Sequence, residues 1–371
     1  MSAIEIVPVR DRRALQQFID FPYSLYRSYP HWVPPLRIAM KEMFDPRKHP
    51  FHRHGSIDSF LALRDGKVAG RISAILDPNH NKFHEEQAGF FGFFESVDDQ
   101  AVATALLGAA RARLHELGAK VIRGPLNPST NYECGLLIDG FDSDPIVMMT
   151  YNPPYYAALI EGAGLVKAKD LYAYWASVSE VGGVKAGRVA ARALKANRMT
   201  IRPIRMDDFD AEVARVFEVY NAAWSRNWGF VPMTKEEFFA MGKEMKMLLD
   251  PGLVLFGETP KGLAGFALAL PDANEAIKHA KGRLFPFGLL KILYHKRSIR
   301  NVRVLALGVL EEYRSEAIAA GLYTELIRHA RAKGYEGCES SWILEDNVLM
   351  NRSMEALGAK HYKTYRIYEW N

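Results

Sequence analysis

Residues 302–331 of the chain read VRVLALGVLEEYRSEAIAAGLYTELIRHAR. The apolar, β-branched and leucine-rich run over 302–309 predicts a buried strand, which ends where charged residues follow. A helix is predicted from near Ala317, because an apolar stripe begins there and basic residues occupy the last turn. A helix start directly after a strand presents unpaired N–H groups that suit a phosphate, and the small residues Ser315 and Ala319 would let one approach. An ordinary βα unit has the same pattern.

The composition narrows the class of protein. A length of 371 residues favours two domains, and 49% apolar with 25% charged residues is typical of a soluble globular chain. The two cysteines, Cys134 and Cys338, form no CxxC pair, which indicates a reducing compartment and no metal. The first residues lack the apolar core of a secretion signal, and no window approaches the ~18 apolar residues of a membrane span, so a cytoplasmic protein is expected. The net charge of +5 suits anionic ligands or lipid surfaces.

The predicted elements occur twice in the same order. Ile201 follows Ile6 and Trp370 follows Trp175 by the same 195 residues. The second half carries roughly twenty extra residues between its third and fourth strands, and the first half a similar excess after its fifth strand. We therefore predict a first domain over residues 1–177, a linker over 178–199 and a second domain over 200–371. The linker is basic and permits an amphipathic helix, but it lacks the interleaved aromatic residues of a nucleic-acid surface, so no nucleic-acid partner is expected.

Each half reads strand, two helices, three or four strands, helix, strand, helix and strand. This order resembles the GCN5-related N-acetyltransferase (GNAT) fold, so the expected fold class is α/β, with a mixed α+β sheet in two tandem GNAT-fold domains. Longer segments resemble a bacterial tandem-GNAT family that includes ceramide synthases. These segments are GPLNPSTNYECGLLIDGFD at 124–142, YNPPYY at 151–156, SWILEDN at 341–347 and YKTYRIYE at 362–369. The resemblance implies transfer of an acyl group from acyl-CoA to an amine, which is a sphingoid base for the ceramide synthases.

The resemblance also implies where CoA binds. The family's pyrophosphate turn has the pattern Q/R-x-x-G-x-G/A, and residues 314–319 fit it except that Ala317 replaces a glycine. At the same place the first half carries Asp98 and Asp99, whose charges would repel a pyrophosphate, so the first half is expected not to bind CoA. Pantetheine would lie between two parted strands of the second half. The predicted CoA contacts are Leu307, Gly308, Val309, Arg314, Ser315, Glu316, Ala317, Ile318, Ala319 and Asn347.

Acyl transfer to an amine needs a base for the amine proton and a polarised thioester carbonyl. The candidate bases are Glu345, Asp346 and His361 in the second half and Glu95 in the first. A solvated strand end, a helix cap or an exposed loop would explain the second-half candidates equally well. The candidate acceptor contacts are Asn127, Asn131, Glu133 and Tyr151 in the first half and Trp224 and Trp228 in the second. Turn formation and core packing are the structural alternatives for these residues.

The insertion of the second half, residues 278–300, reads KHAKGRLFPFGLLKILYHKRSIR. Apolar residues flanked by cations suit a segment that lies on an anionic leaflet, although a helix packed on the core has the same composition. We therefore predict a long-chain N-acyltransferase that acts on an amphiphilic amine at the membrane surface. The alternatives are an acetyl-CoA-dependent acetyltransferase of a small polar amine and a non-catalytic acyl-CoA or lipid sensor.

Overall fold

The computed structural model of the protein describes residues 3–181, 192, 194–195, 198–313 and 316–370, with the backbone alone at 316 and 317. The predicted linker lies mostly outside the described residues. Arg314 and Ser315 of the predicted pyrophosphate turn also lie outside them, as do the side chains of Glu316 and Ala317. The chain forms two compact units. Unit 1 comprises Met1–Leu171, Ile277–Ile292 and Lys363–Asn371, and unit 2 comprises Tyr172–Ala276 and Leu293–Tyr362.

Unit 1 is built on a sheet in the order β1-β2-β3-β4-β5-β15. Its pairs are antiparallel except for β4 and β5, which run parallel. The dipeptide Asp65-Gly66 predicts a two-residue hairpin turn, and the turn is confirmed, since both residues have the positive φ that it requires. The elements are β1 (Ile4–Pro8), α1 (Arg12–Leu25), α2 (Arg37–Met43), β2 (Ser56–Arg64), β3 (Lys67–Leu76), α3 (Pro78–His84), β4 (Ala88–Ser96), α4 (Gln100–Glu116), β5 (Val121–Gly124), β6 (Leu126–Asn127), β7 (Glu133–Cys134), β8 (Leu136–Asp139), α5 (Tyr156–Gly162) and the start of β9 (Val166–Ser177).

The core of unit 1 lies between this sheet and α4. Asp99 caps α4 by accepting hydrogen bonds from the backbone N–H groups of Ala101 and Val102. The apolar face of α4 is fully buried, and the C-terminal strand β15 adds Tyr368 and Trp370 to the same core. The last strand of the chain is therefore part of the first unit.

Unit 2 is built on a sheet in the order β9-β14-β13-β12-β11-β10. Here β13 and β14 are parallel, while β10 to β13 pair antiparallel. Its core lies between the sheet and the helix after β13, where Leu322 and Leu326 are fully buried. The elements from residue 200 onward are β10 (Thr200–Pro203), α6 (Phe209–Trp224), α7 (Lys235–Lys246), β11 (Val254–Thr259), β12 (Gly262–Pro271), α8 (Asn274–Ile277), α9 (Gly288–His295), β13 (Asn301–Val309), α10 (Glu316–Ala332), β14 (Gly337–Leu344), α11 (Val348–Ala356) and β15 (Lys360–Trp370). Most of α9 and most of β15 belong to unit 1.

The packing units do not coincide with the predicted sequence domains. The prediction gave residues 200–371 to the second domain, whereas 277–292 and 363–371 pack in unit 1. The predicted boundaries at 177 and 200 stay a prediction about where the two repeats meet in the sequence. Among the helices of the described residues, none combines the length and the apolar character needed to cross a bilayer.

Candidate active site

The parallel strands β13 and β14 of unit 2 part halfway along their length. They pair from Asn301 with Gly337 up to Val304 with Ser340. Beyond that point β13 keeps its other neighbour, β12, through the pair Gly265 and Val309. The backbone edge of residues 305–309 that faces away from β12 has no strand beside it in the described part of the chain. We call this opening the unit 2 cleft; an extended chain with amide groups could pair with its edge.

An indole ring covers β13 beside this cleft. A Cβ added at Gly308 would lie 2.4 Å from the ring of Trp224. Glycine therefore fits at this position, and a larger residue would clash with the ring. The ring of Trp224 also lies 5.7 Å from that of Phe266 and 5.0 Å from that of Tyr220, measured between centroids. The structure thus brings two of the predicted residues, Trp224 and Gly308, into contact.

A buried polar cluster lies where the two strands part. Arg303 and Glu339 are both fully buried, and the Nε of Arg303 lies 3.9 Å from Glu339 Oε1. Arg303 Nε also donates to Ser341 Oγ at 2.8 Å, and the Tyr362 hydroxyl donates to Glu339 Oε2. The sequence prediction did not include this cluster. A charged residue in the middle of each apolar strand, Arg303 in β13 and Glu339 in β14, could have indicated it.

Trp342 follows this cluster on β14. Its φ of +58° is rare for a bulky residue, and the Arg303 guanidinium lies 4.4 Å from the centre of its ring. The buried indole N–H of Trp342 has no hydrogen-bond acceptor among the described residues. Strained residues of this kind cluster at functional sites, which adds Trp342 to the candidate residues.

The predicted second-half bases lie at separate places. Glu345 and Asp346 occupy the turn after β14, where Asn351 Nδ2 donates to the carbonyl of Glu345 at 3.3 Å. Asn347 caps α11 by accepting from the N–H of Met350 at 3.2 Å. His361 is exposed, as the structural alternative expects, but it lies on β15 and not in a loop.

The ring of His361 packs at an inclined angle against two tyrosines of β9. Its ring centroid is 4.4 Å from that of Tyr172 and 5.5 Å from that of Tyr174. Two strands, β9 and β14, separate its strand from β13. The roles of Glu345, Asp346 and His361 as bases stay predictions, as do those of Ile318 and Ala319 of α10 in CoA binding.

The corresponding opening of unit 1 is filled by the chain itself. β4 and β5 pair only from Ala88 with Val121 to Phe90 with Arg123. Asn127 of β6 then accepts a hydrogen bond from the backbone N–H of Phe93 at 2.6 Å. A Cβ added at Gly92 would lie 1.8 Å from the carbonyl oxygen of Leu126, so the two segments are in direct contact. A pantetheine chain would have to displace this segment.

Glu95 of unit 1 belongs to a buried network. Its carboxylate accepts hydrogen bonds from the hydroxyls of Tyr26 and Tyr156, both at 2.7 Å, and lies 3.5 Å from Arg71 Nη2. Burial raises the pKa of Glu95, although the charge of Arg71 and the phenol hydrogen bonds oppose the rise. These partners connect the residue after α1, strand β3 and helix α5 to β4. A role for Glu95 as the base stays a prediction.

The other predicted acceptor contacts are spread over both units. Asn131 lies in a turn, where its N–H donates to Ser129 Oγ at 3.3 Å, and Glu133 lies on β7 opposite Asn127. Tyr151 donates from its hydroxyl to the carbonyl of Phe141 at 3.3 Å. Trp228 of unit 2 is half-buried. Their contact with a substrate stays a prediction.

Comparison with known proteins identifies full-length relatives. Protein YghO from Escherichia coli (strain K12) is 38% identical over 366 residues, covering 97% of this chain and 93% of that protein. Bacterial ceramide synthase from Caulobacter vibrioides (strain NA1000 / CB15N) is 36% identical over 376 residues, covering 99% of this chain and 97% of the synthase. No family model matches the chain.

A solved structure supports the fold. The tandem GNAT protein from the clavulanic acid biosynthesis pathway, without AcCoA, superimposes with a TM-score of 0.57 at 14% identity and covers 99% of this chain and 98% of its own. Two repeats of one strand order, each with parted parallel strands, agree with that likeness. The chain therefore has two tandem GNAT folds and belongs to the GNAT family of N-acyltransferases that includes the bacterial ceramide synthase of Caulobacter vibrioides.

Proposed function

We propose that the protein joins a long-chain acyl group from acyl-CoA to the amine of a sphingoid base, releasing an amide and free CoA. The observation that carries the proposal is the unit 2 cleft, which leaves the edge of β13 over 305–309 open to an extended ligand. The full-length relative named bacterial ceramide synthase supports the choice of substrates.

In this proposal CoA binds unit 2 alone. The amide groups of pantetheine would pair with the backbone at Leu307, Gly308 and Val309, and a backbone N–H there would polarise the thioester carbonyl. In unit 1 the side chain of Asn127 already accepts from the backbone N–H of Phe93. In register with the preceding strand, Ser96 corresponds to Val309 and Gly92 to Ala306, so Phe93 lies at an irregularity of β4 whose counterpart in unit 2 is at Leu307. In unit 1 the backbone at this place is hydrogen-bonded by Asn127. In unit 2 the corresponding stretch of β13 lies beside the open edge of the cleft.

Starting from an alkylammonium ion, the nitrogen loses two protons, one before it attacks the thioester and one as the amide forms, and the C–S bond breaks to release a thiolate. An alkylammonium group has a pKa of about 10, so a base must take a proton before the amine can attack. Glu345 and Asp346 are the carboxylates nearest in sequence to the end of β14, and we propose that one of them acts in this step. Met354, where many family members carry a tyrosine, is 2% exposed and part of the core. The departing thiolate therefore takes its proton from solvent, which its ordinary pKa of about 8.5 permits.

The test is a thiol-release assay with purified protein and palmitoyl-CoA. We expect free CoA to appear only when a long-chain sphingoid base is present, with the amide detected by mass spectrometry. Acetyl-CoA with small polar amines serves as the comparison. Faster turnover of that pair would replace the proposal with a small-molecule acetyltransferase, and tight binding of palmitoyl-CoA without turnover across a panel of sphingoid bases would replace it with an acyl-CoA sensor.

A further inference from the structure

Helix α9 and the segment before it expose an unusual amount of apolar surface. In α9 only Gly288 is buried. The alternative of a helix packed on the core through its apolar residues is therefore wrong. We define the apolar face by its six large exposed side chains, which are Phe285 (86% exposed), Phe287 (65%), Leu289 (50%), Leu290 (62%), Leu293 (54%) and Tyr294 (77%). An exposed patch of this kind marks an interaction surface rather than chance exposure of single residues.

The segment Ile277–Ile292, which carries four of the six side chains of the apolar face, packs in unit 1. The N–H of Arg37 donates to the carbonyl of Gly282 at 3.1 Å, and Lys278 Nζ lies 3.1 Å from the carboxylate of Asp144. A Cβ at Gly282, whose φ is +75°, would lie 2.3 Å from the ring of Tyr23, so the backbone packs closely there. These contacts hold the segment on unit 1 while its apolar side chains point to solvent.

Cations flank and interrupt the apolar run in the sequence. Lys281, Arg283, Lys291 and Arg297 are exposed, and no carboxylate among the described residues pairs with any of them. Uncompensated cations beside large apolar side chains match a bilayer surface, where anionic headgroups lie next to the acyl chains. The core of a protein interface, in contrast, is depleted in charged residues as a class, and lysine is depleted in the interface as a whole. Charge complementarity therefore favours lipid over a protein partner.

We propose that the apolar face docks on an anionic lipid bilayer, with its aromatic and leucine side chains at the boundary between headgroups and acyl chains and with the four cations among the phosphates. The inference deepens the proposed function, on which its link to the acceptor rests, because a sphingoid base partitions into the same bilayer. Docking would bring the enzyme to its acceptor without a membrane-spanning helix.

Vesicle sedimentation tests the docking without measuring activity. Full-length protein is mixed with vesicles of phosphatidylcholine alone or of phosphatidylcholine with phosphatidylglycerol. We expect about tenfold or stronger binding to the anionic vesicles, and a loss of about tenfold in the variant Phe285→Ser/Phe287→Ser/Leu290→Ser. The matched control Phe83→Ser/Val166→Ser changes apolar residues that are 38% and 53% exposed elsewhere in unit 1 and should bind like the wild type.

A charge variant separates the apolar face from general basicity. Lys291→Gln/Arg297→Gln should lose most of the preference for phosphatidylglycerol, whereas the control Lys67→Gln/Lys82→Gln, which also changes exposed residues, should keep it. Wild-type protein that stays in the supernatant with anionic vesicles would overturn the docking, and so would equal binding by the triple serine variant. A dimer in analytical ultracentrifugation that the triple variant dissociates, with no vesicle binding, would assign the face to a second copy. Failure of docking together with amide formation in detergent would leave the proposed function intact.

Discussion

Asn127 is the residue that distinguishes the unit 1 opening from the unit 2 cleft. Its side chain accepts from the backbone N–H of Phe93 at 2.6 Å. Asn127→Ala should lower the free energy of unfolding by about 1–3 kcal/mol, because the backbone N–H of the buried residue Phe93 loses its partner. Urea unfolding measures the loss, and Asn127→Asp, which keeps an acceptor, should recover part of it. Since CoA is proposed to bind unit 2, the KM for acyl-CoA should not change; a large rise in KM at full stability would instead make Asn127 a ligand contact.

Gly308 offers the matching test in unit 2. In Gly308→Ala the new methyl group would meet the ring of Trp224 at 2.4 Å, and overpacking of this kind costs about 1–3 kcal/mol. Because Gly308 lies on the open stretch of β13, we expect the KM for acyl-CoA to rise as the strand shifts. The double variant Gly308→Ala/Trp224→Leu should recover stability, since the shorter side chain leaves room for the methyl group. No recovery would show that the two residues do not oppose each other in solution.

The hydrogen bonds of Glu212 lead us to expect that the stability of unit 2 depends on pH. Burial by itself would raise the pKa of Glu212, but hydrogen bonds from Arg202 and from the N–H of Arg205 outweigh it and hold the pKa below the usual 4.5. A lowered pKa in the folded state means stability that is present above pH 4.5 and is lost as the pH falls through the folded-state pKa. Glu212→Gln should therefore cost about 2–3 kcal/mol at neutral pH and less below pH 4.5. The exposed Glu218→Gln on the same helix is the control, and a pH-independent loss would contradict the assignment.

At the scale of elements, β4 and β13 occupy equivalent places in the two repeats but differ in what lies beside them. Hydrogen–deuterium exchange with and without CoA compares them in one protein. Amides of 305–309 in β13 should exchange more slowly when CoA is bound, because pantetheine would pair with them. Amides of 92–95 in β4 should be unchanged, since the β6 segment already fills that opening. Equal protection of both strands would mean that unit 1 also binds CoA.

The elements themselves were largely predictable, and the reasons are local. The β-branched run over 302–309, the turn at Asp65 and Gly66 and the cap at Asp99 each specify structure through neighbouring residues. Local patterns did not predict that the β6 segment fills the opening of unit 1 while the unit 2 cleft stays open. Asn127 reaches Phe93 across 34 positions of sequence, and its neighbours in the chain suggest only a turn. The contact depends on how far β5 diverges from β4, which no local pattern encodes.

The roles of single residues were the hardest to predict from the sequence, because they depend on contacts between residues that are distant in the chain. Glu95 at the end of a strand has the sequence context of an exposed carboxylate. Its partners Tyr26, Arg71 and Tyr156 come from three distant elements, and only their convergence makes the network. The exposed apolar face of α9 also shows this limit, since composition alone suits a buried helix as well as an interfacial one.

At the scale of the whole molecule, the units and the repeats divide the chain differently. Unit 1 needs 363–371, which supplies β15 beside β5 through the pairs Tyr368 with Gly124 and Trp370 with Ile122. Tyr368 is 0% and Trp370 8% exposed. Burying an aromatic side chain of ~200 Å² contributes about 5 kcal/mol as an upper estimate, so the two rings together rival the whole stability of a typical domain.

A fragment of residues 1–177, the first sequence domain, should therefore not fold by itself. It would expose the edge of β5 and leave its core without Tyr368 and Trp370. We expect it to aggregate or to give no cooperative thermal transition in circular dichroism. Co-expression with a fragment of residues 200–371 should restore a soluble complex, because β15 then becomes available to unit 1. A monomeric 1–177 fragment with a cooperative transition and native stability would show that the last strand is dispensable. The packing of residues 363–371 in unit 1 would then not be a condition for the folding of that unit.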